Sequence, residues 1–404
     1  MKKILFITSS FYKKGSASIR NCSLVLGLAD NNCQIDVLTQ KWPDKMEDES
    51  LRKIVEKNKN IKIFYDQLKI IKKYFYKKEE NKKNKSYLDN KYSKLFREIL
   101  KNLYFYPDID MEWINSYRKN LRFEEYDLVI TSSDTKTAHY IGRKIKNKYQ
   151  KKWIQVWGDP WFDDKGTYGI KKLCAYFSEK KLLKSCDLVV YVSKPTSEVM
   201  KKRFKNLDKK IEFYPRTFLK QINTKTDKEM ENRNYKFLYP GSIYYGRKIN
   251  DLLDAIKEYN LKNIKKIEFT FLGEVTKEIK NIFLSYDFVK YKNSVNYEEV
   301  CNEIEKSDIL IFLSNDSKSK QIPGKLYDYF GTDKTILALF NDINNNEVYK
   351  FIKNTKRCIC LKNEKKEIVI EQIISEIGKS KVLLEYNGSY QANKILKRIR
   401  EENK

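Results

Sequence analysis

The chain has 404 residues, 41% of them hydrophobic and 34% charged, with 82 Lys and Arg against 54 Asp and Glu and a formal net charge of +28. That length is more than one core normally holds, so two domains are expected. No run approaches the ~20 apolar residues of a membrane span, which excludes a helical integral membrane protein. Seven scattered cysteines and no Cys/His cluster at ligand spacing argue against a disulfide scaffold or a zinc site.

The N-terminus, MKKILFITSSFY, pairs a basic start with a short apolar run. The run ends in polar Thr8, Ser9 and Ser10 with no small-residue cleavage site, so it reads as a first strand and not as a signal peptide. A cytoplasmic protein is the expectation. Lys3–Ser9 as strand, Ser18–Asp30 as helix and Gln34–Thr39 as strand make a βαβ opening, which implies a parallel sheet. Further strands are predicted at Ile61–Tyr65, Asp127–Thr131, Trp153–Trp157, Leu188–Val192 and Ile211–Tyr214, with helical patterns between most of them. A second series follows at Phe237–Tyr239, Ile267–Leu272, Ile309–Leu313, Thr335–Leu339 and Cys358–Leu361.

Two α/β blocks of similar rhythm predict two Rossmann-like domains with a cleft between them. The polar stretch Leu219–Asn234 reads as the linker, leaving domains at 1–218 and 235–388 and a basic last helix within 389–404. An insertion at 66–101 interrupts the first domain and carries twelve basic residues against five acidic ones. It reads either as a solvated helical element or as a basic, aromatic element lying on an anionic membrane surface. The net charge has the same two readings, compositional drift or an anionic partner. Nucleic acid is not expected, because no recognition motif accompanies the charge.

Candidate chemistry falls at strand-to-helix junctions. FLYPGSIYYGRKINDLL, from Phe237 to Leu253, is a strand, a glycine turn and a helix. Gly241 permits the tight turn, where backbone N–H groups, with Ser242 among them, can face a phosphate. Arg247 and Lys248 precede the helix, where a fork of donors can grip a diphosphate. QIPGKLYDYFGTDKTILAL, from Gln321 to Leu339, breaks at Pro323 and Gly324 before a short helix opening with Lys325. Helix N–H groups beside a Lys suit an anion, and Asp328 one turn later suits a sugar hydroxyl. Together they point to a nucleotide or nucleotide-sugar ligand. In the first domain His139, the only histidine, follows the strand ending in Ser132 and Ser133. Asp159, held extended by Pro160, ends the strand in KWIQVWGDPW at the same edge. The adjacent Asp163 and Asp164 read as a turn and not as a metal motif.

These segments resemble retaining glycosyltransferases of the GT-B architecture, family-4-like, of the kind that build bacterial surface polysaccharides. The resemblance runs through KKGSASIRNCSLVLGLADNNCQIDVLT, YPDIDMEWINSYRK, TSSDTKTAHYIGRKI, WIQVWGDPW, CDLVVYVSKPTSEVMKKRF, YPGSIYYGRKI, VNYEEVCNEIEKSDILIFLS and IPGKLYDYFGTDKTILAL, in family order. It implies that the first domain binds the acceptor, that the second binds the nucleotide-sugar donor, and that the final helix crosses back to the first domain. By the same resemblance Arg247 takes the diphosphate, assisted by Lys325. Asp328 stands at the second Glu of the family's Glu-x7-Glu motif, which holds the ribose hydroxyls. His139 matches the His near the transferred sugar, Asp159 an Asp common in the subgroup, and Gly15 the glycine loop beneath the diphosphate.

The chain departs from the pattern at three places. Lys320 replaces the first motif Glu, Asp328 is one methylene shorter than Glu, and Ser242 replaces the usual Arg. The expected activity is sugar transfer with retention to a glycan or lipid-linked oligosaccharide, with no metal and no cofactor. Fixed donors would stabilise the charge growing on the departing diphosphate. A nicotinamide-dependent dehydrogenase or epimerase would need a G-x-G-x-x-G loop where the chain reads SSFYKKGSAS. Two further readings compete with the transferase: a basic membrane- or nucleic-acid-binding protein, and a catalytically degenerate transferase partner.

Overall fold

The structure, a computed structural model, describes residues 1–68, 106–133, 135–164, 167, 169–223, 233–243, 247–315, 321–344 and 346–401. Most of the 66–101 insertion, and Lys320, lie outside the described residues. The chain divides into two compact units. The first comprises Met1–Glu47, Arg52–Pro215 and Ala392–Lys404, the second Asp48–Leu51 and Arg216–Gln391.

In the first unit seven strands form one sheet: β1 (Lys2–Ile7), β2 (Cys33–Lys41), β3 (Ile61–Gln67), β4 (Leu128–Ser133), β5 (Lys152–Trp157), β6 (Leu188–Tyr191) and β7 (Ile211–Phe213). Their order is β3-β2-β1-β4-β5-β6-β7, and each pairing is parallel. The central strands are buried on both faces, which is why they read as continuous apolar runs and not as alternating ones. Helices α1 (Ser16–Asp30), α2 (Thr137–Tyr149), α3 (Gly169–Ser185) and α4 (Lys194–Arg203) follow β1, β4, β5 and β6. Leu5, Val129, Trp153, Trp157 and Leu183 sit in the core this sheet shares with its helices.

The second unit repeats the scheme with β8 (Tyr235–Pro240), β9 (Ile267–Leu272), β10 (Val289–Lys292), β11 (Ile309–Leu313), β12 (Thr335–Phe340) and β13 (Cys358–Lys362). The order is β10-β9-β8-β11-β12-β13, again all parallel. Helices α5 (Asn250–Lys262), α6 (Tyr297–Lys306) and α7 (Lys325–Phe330) follow β8, β10 and β11. β10 is absent from the strands expected above. It is a four-residue edge strand whose two lysines are exposed, so its apolar signal is thin.

The end of the expected first domain, from Arg216, and the start of the expected linker belong to the second unit. Phe218 and Ile222 are buried, and their N–H groups donate to Tyr386 O at 3.1 Å and Gly331 O at 2.9 Å. The last helix, α8 (Gly388–Glu401), begins one residue before the expected 389–404 segment. Within the first unit its Arg398 pairs with Glu212 of β7. No described helix is long and apolar enough to cross a membrane.

Both sheets reverse their strand order between two central strands, β1 and β4 in one and β8 and β11 in the other. The loops leaving the C-terminal ends of such strands diverge to opposite sides and open a crevice where ligands settle. The candidate residues follow these strands or β5 next to them.

Candidate functional site

In the second unit the β8 turn and the segment after β11 meet at Tyr239. The Lys325 ammonium lies over the Tyr239 ring, 3.7 Å from its centroid. Arg247 Nη1 donates to the Tyr239 hydroxyl at 3.2 Å and to Ser242 O at 3.0 Å, while Nη2 donates to Asn315 Oδ1 beyond the end of β11. The ring itself stacks on Phe271, with centroids 5.2 Å apart and planes 17° from parallel. One buried aromatic residue thus carries an ammonium on its face and a guanidinium on its hydroxyl.

Lys325 Nζ is buried and has no hydrogen-bond partner among the described residues. Burial, reinforced by the Arg247 charge, holds its pKa well below the usual 10.5. A buried cation without a counterion is costly, and an anion beside it would remove that cost. Gly241 makes the approach possible. Its φ of 146° is a conformation that L side chains rarely adopt, and a methyl group there would overlap the Lys325 ammonium. A Cβ on Gly273 would likewise lie 2.9 Å from Ser242 N, so two glycines let the β8 and β9 turns pack together.

Some expectations change in detail. The Gly241 N–H does not wait for a phosphate, since it donates to Leu272 O at 2.6 Å. The turn is closed by the parallel sheet continuing one residue past β8. The Arg247 fork is engaged with protein acceptors, so it meets a ligand only through the edges that Tyr239, Ser242 and Asn315 leave. Ser242 Oγ accepts from Glu274 N at 3.2 Å. The Lys248 side chain is exposed, and its carbonyl accepts from Asn363 Nδ2 at 2.9 Å.

Next to Lys325, Arg216 lies over Gly324, where any Cβ would overlap its guanidinium. Arg216 Nη2 donates to Asp328 Oδ2 at 3.2 Å. Asp328 Oδ1 is buried with no hydrogen-bond partner among the described residues. Burial pushes the Asp328 carboxyl up to about 6 against the opposing pull of Arg216. One oxygen is therefore held by protein, and the other is an open acceptor.

In the first unit His139 lies in the first turn of α2, at the sheet edge that follows β4, and is fully buried. Its ring packs 4.3 Å from Trp157, and Nδ1 is 2.7 Å from Thr131 Oγ1. Thr131 Oγ1 also accepts from Trp153 Nε1 at 2.8 Å and donates to Ile154 O at 3.4 Å. His139 Nε2 is buried and has no hydrogen-bond partner among the described residues. Burial, then Lys136 and Arg20, hold the pKa well below 6.5, so the ring is neutral at physiological pH.

Arg20, on α1, joins this edge from the other side. Its Nη2 donates to Ser132 Oγ at 3.1 Å, Ser132 Oγ donates to Asn21 Oδ1 at 2.7 Å, and Asn21 Nδ2 donates to Thr8 Oγ1 at 3.0 Å. A Cβ on Gly158 would come within 2.7 Å of the Arg20 guanidinium. Asp159, the next residue, is exposed. Its loop is tied down by Glu179 of α3, which accepts from Trp161 N at 2.8 Å and Phe162 N at 3.2 Å. Gly15 immediately precedes α1, is exposed, and would meet nothing with an added Cβ.

The sequence reading missed Tyr239, Asn315, Arg216 and Arg20. Tyr239 and Asn315 stand at or just past the ends of the two strands that flank the reversal in strand order, a signal available once those strands are ordered. Arg216 and Arg20 have no local signature.

No protein-family model and no curated protein matches the chain by sequence. Solved structures do match over its full length. The chain aligns with Anabaena Alr3699/HepE, solved with UDP and glucose, at a TM-score of 0.59 and 12% identity, covering 100% of this chain and 99% of that one. It aligns with UDP-GlcNAc 2-epimerase from Neisseria meningitidis, bound to UDP-GlcNAc, at 0.53 and 10%, covering 99% and 100%. Against a mutant of S. aureus TarM, solved with fondaparinux, α-GlcNAc-glycerol and UDP, the values are 0.51 and 12%, covering 99% and 97%. At these identities the likeness establishes the fold, which is of the GT-B kind with two parallel-sheet, Rossmann-like domains.

Proposed function

We propose that this protein is a retaining glycosyltransferase that moves a sugar from a nucleoside-diphosphate donor to a glycan or lipid-linked acceptor in cell-surface polysaccharide synthesis. One observation carries the reading. Lys325 and Arg247 converge on Tyr239 where the strand order reverses, and the Lys325 ammonium is buried without a counterion. A diphosphate is the ligand that such a pair of cations suits. The open Asp328 Oδ1, near Lys325 in sequence and on the same short helix, suits a ribose hydroxyl. Likeness to proteins solved with UDP or a UDP-sugar supports the same ligand class.

On this reading the bond between the anomeric carbon and the β-phosphate oxygen breaks, and its electron pair leaves with the diphosphate. The Lys325 and Arg247 charges favour that step more than they favour the bound donor, because negative charge grows beside them. The acceptor oxygen bonds to the anomeric carbon on the face that the diphosphate leaves and passes its proton to the departing phosphate oxygen. No metal enters the proposal. The protein works at the inner face of the membrane, where a lipid-linked acceptor is presented.

A second reading follows from the likeness to the Neisseria enzyme: inversion of a centre within the sugar of a nucleotide-sugar, with no acceptor. Both readings require nucleoside diphosphate binding, so a thermal-shift screen of nucleoside diphosphates comes first. A raised melting temperature is expected, and no shift with any of them overturns both readings. Turnover then separates them. A transferase liberates nucleoside diphosphate with an acceptor-linked product, whereas an epimerase yields a new nucleotide-sugar without acceptor.

A further inference from the structure

The first unit carries an unusual outer helix. In α3, Ile170, Leu173 and Phe177 are 73%, 60% and 65% exposed, although three such side chains on one helix would ordinarily be buried. At about 100° per residue they share an arc of about 100° with Lys180, Lys181 and Lys184, and all three lysines are exposed. The face is apolar over the first turns and cationic over the last. It carries no carboxylate, since the only acidic residue of the helix, Glu179, is buried on the opposite side holding the Trp161 loop.

We propose that this face of α3 seats the protein on an anionic lipid bilayer, with Ile170, Leu173 and Phe177 entering the headgroup boundary and the three lysines meeting lipid phosphates. The pattern fits a charged, amphipathic surface better than it fits a protein groove. Apolar side chains gain by leaving water, lysine stems lie along the apolar layer, and their ammonium groups stay at headgroup level. The remaining charge of the chain, +28 in all, favours the same partner. The face adds a specific contact to the membrane localisation of the proposed function, and its failure would leave the nucleotide reading standing.

Cys174 provides the test, because it lies on this face and is the one exposed cysteine of the seven. A polarity-sensitive maleimide on Cys174 of the full chain should shift to the blue on vesicles containing about 30 mol% phosphatidylglycerol, but not on pure phosphatidylcholine. In co-sedimentation, Ile170→Ser/Leu173→Ser/Phe177→Ser should lose at least about tenfold in vesicle affinity, and Lys180→Gln/Lys181→Gln/Lys184→Gln should weaken binding and flatten its salt dependence. Both variants should keep the wild-type melting temperature and the wild-type nucleotide-induced shift. Vesicle binding equal to wild type in the serine variant would overturn the proposal, as would a Cys174 probe that stays in water while the protein is bound. A wild-type dimer that the serine variant dissolves would overturn it too, by making the face a contact between copies.

Discussion

The Lys325 ammonium sits on the face of the Tyr239 ring, 3.7 Å from its centroid, while the hydroxyl of the same ring accepts from Arg247 at 3.2 Å. Eighty-six positions separate the two residues of the cation–π pair in the chain, and parallel pairing of β8 with β11 brings them together. The ring face partly offsets the buried charge but does not neutralise it.

Replacing Lys325 by Met should therefore stabilise the unliganded protein. The folded-state pKa is held well below 10.5, so the charge penalty is fully present below that lowered value, and stability rises with pH between it and 10.5. The Met variant should melt roughly 2–6 °C higher at neutral pH, lose that pH dependence and lose its response to nucleoside diphosphates. A lower melting temperature, read by calorimetry, would place an unseen partner on the ammonium.

Arg247→Ala removes the second cation and also releases Asn315 and Tyr239. Turnover should fall about a hundredfold, or ~3 kcal/mol, with a smaller change in donor KM, because the charge it opposes is greatest in the transition state. Steady-state kinetics with wild-type turnover would reject the assignment.

Asp328 sets a pH dependence of opposite sense to that of Lys325. Its carboxyl titrates at about 6 in the folded protein against 3.8 ordinarily. The folded state thus holds an extra proton between these values, and stability falls as pH rises through that window. Asp328→Asn should remove this slope and raise stability at pH 7 by on the order of 1–3 kcal/mol. It should also weaken nucleotide binding, since the amide offers the ligand at most one of its two unlike ends. Urea unfolding at pH 4.5 and pH 7 checks the first outcome, and calorimetric titration the second.

His139 is neutral when folded, because burial holds its pKa well below 6.5. The unfolded chain takes up that proton as pH falls through 6.5 and the folded chain does not, so stability is lost on acidification. His139→Gln should flatten this loss. Urea unfolding of wild type and variant at pH 5 and pH 7 checks this.

Gly241→Ala should destabilise by about 1–3 kcal/mol for its backbone conformation, beyond the overlap with Lys325. Adding Lys325→Ala should relieve the overlap but not the backbone term. Chemical denaturation of the single and double variants separates the two.

The strands other than β10, the two α/β blocks and the glycine turns before α5 and α7 were legible in the sequence. Strands buried on both faces of a parallel sheet leave long apolar runs, and tight turns between strand and helix leave glycines. Local chemistry also singled out Arg247, Lys325 and Asp328, because cations and a carboxylate at a helix start have few other uses. Tertiary structure alone decided what these groups touch. Tyr239 became the meeting point because β8 and β11 are neighbours, Arg216 reached Asp328 across 112 positions, and Arg20 reached Ser132 across 112. Burial of the Lys325 ammonium and of His139 was decided there too, since exposure depends on all the elements packed around a side chain and not on its own segment.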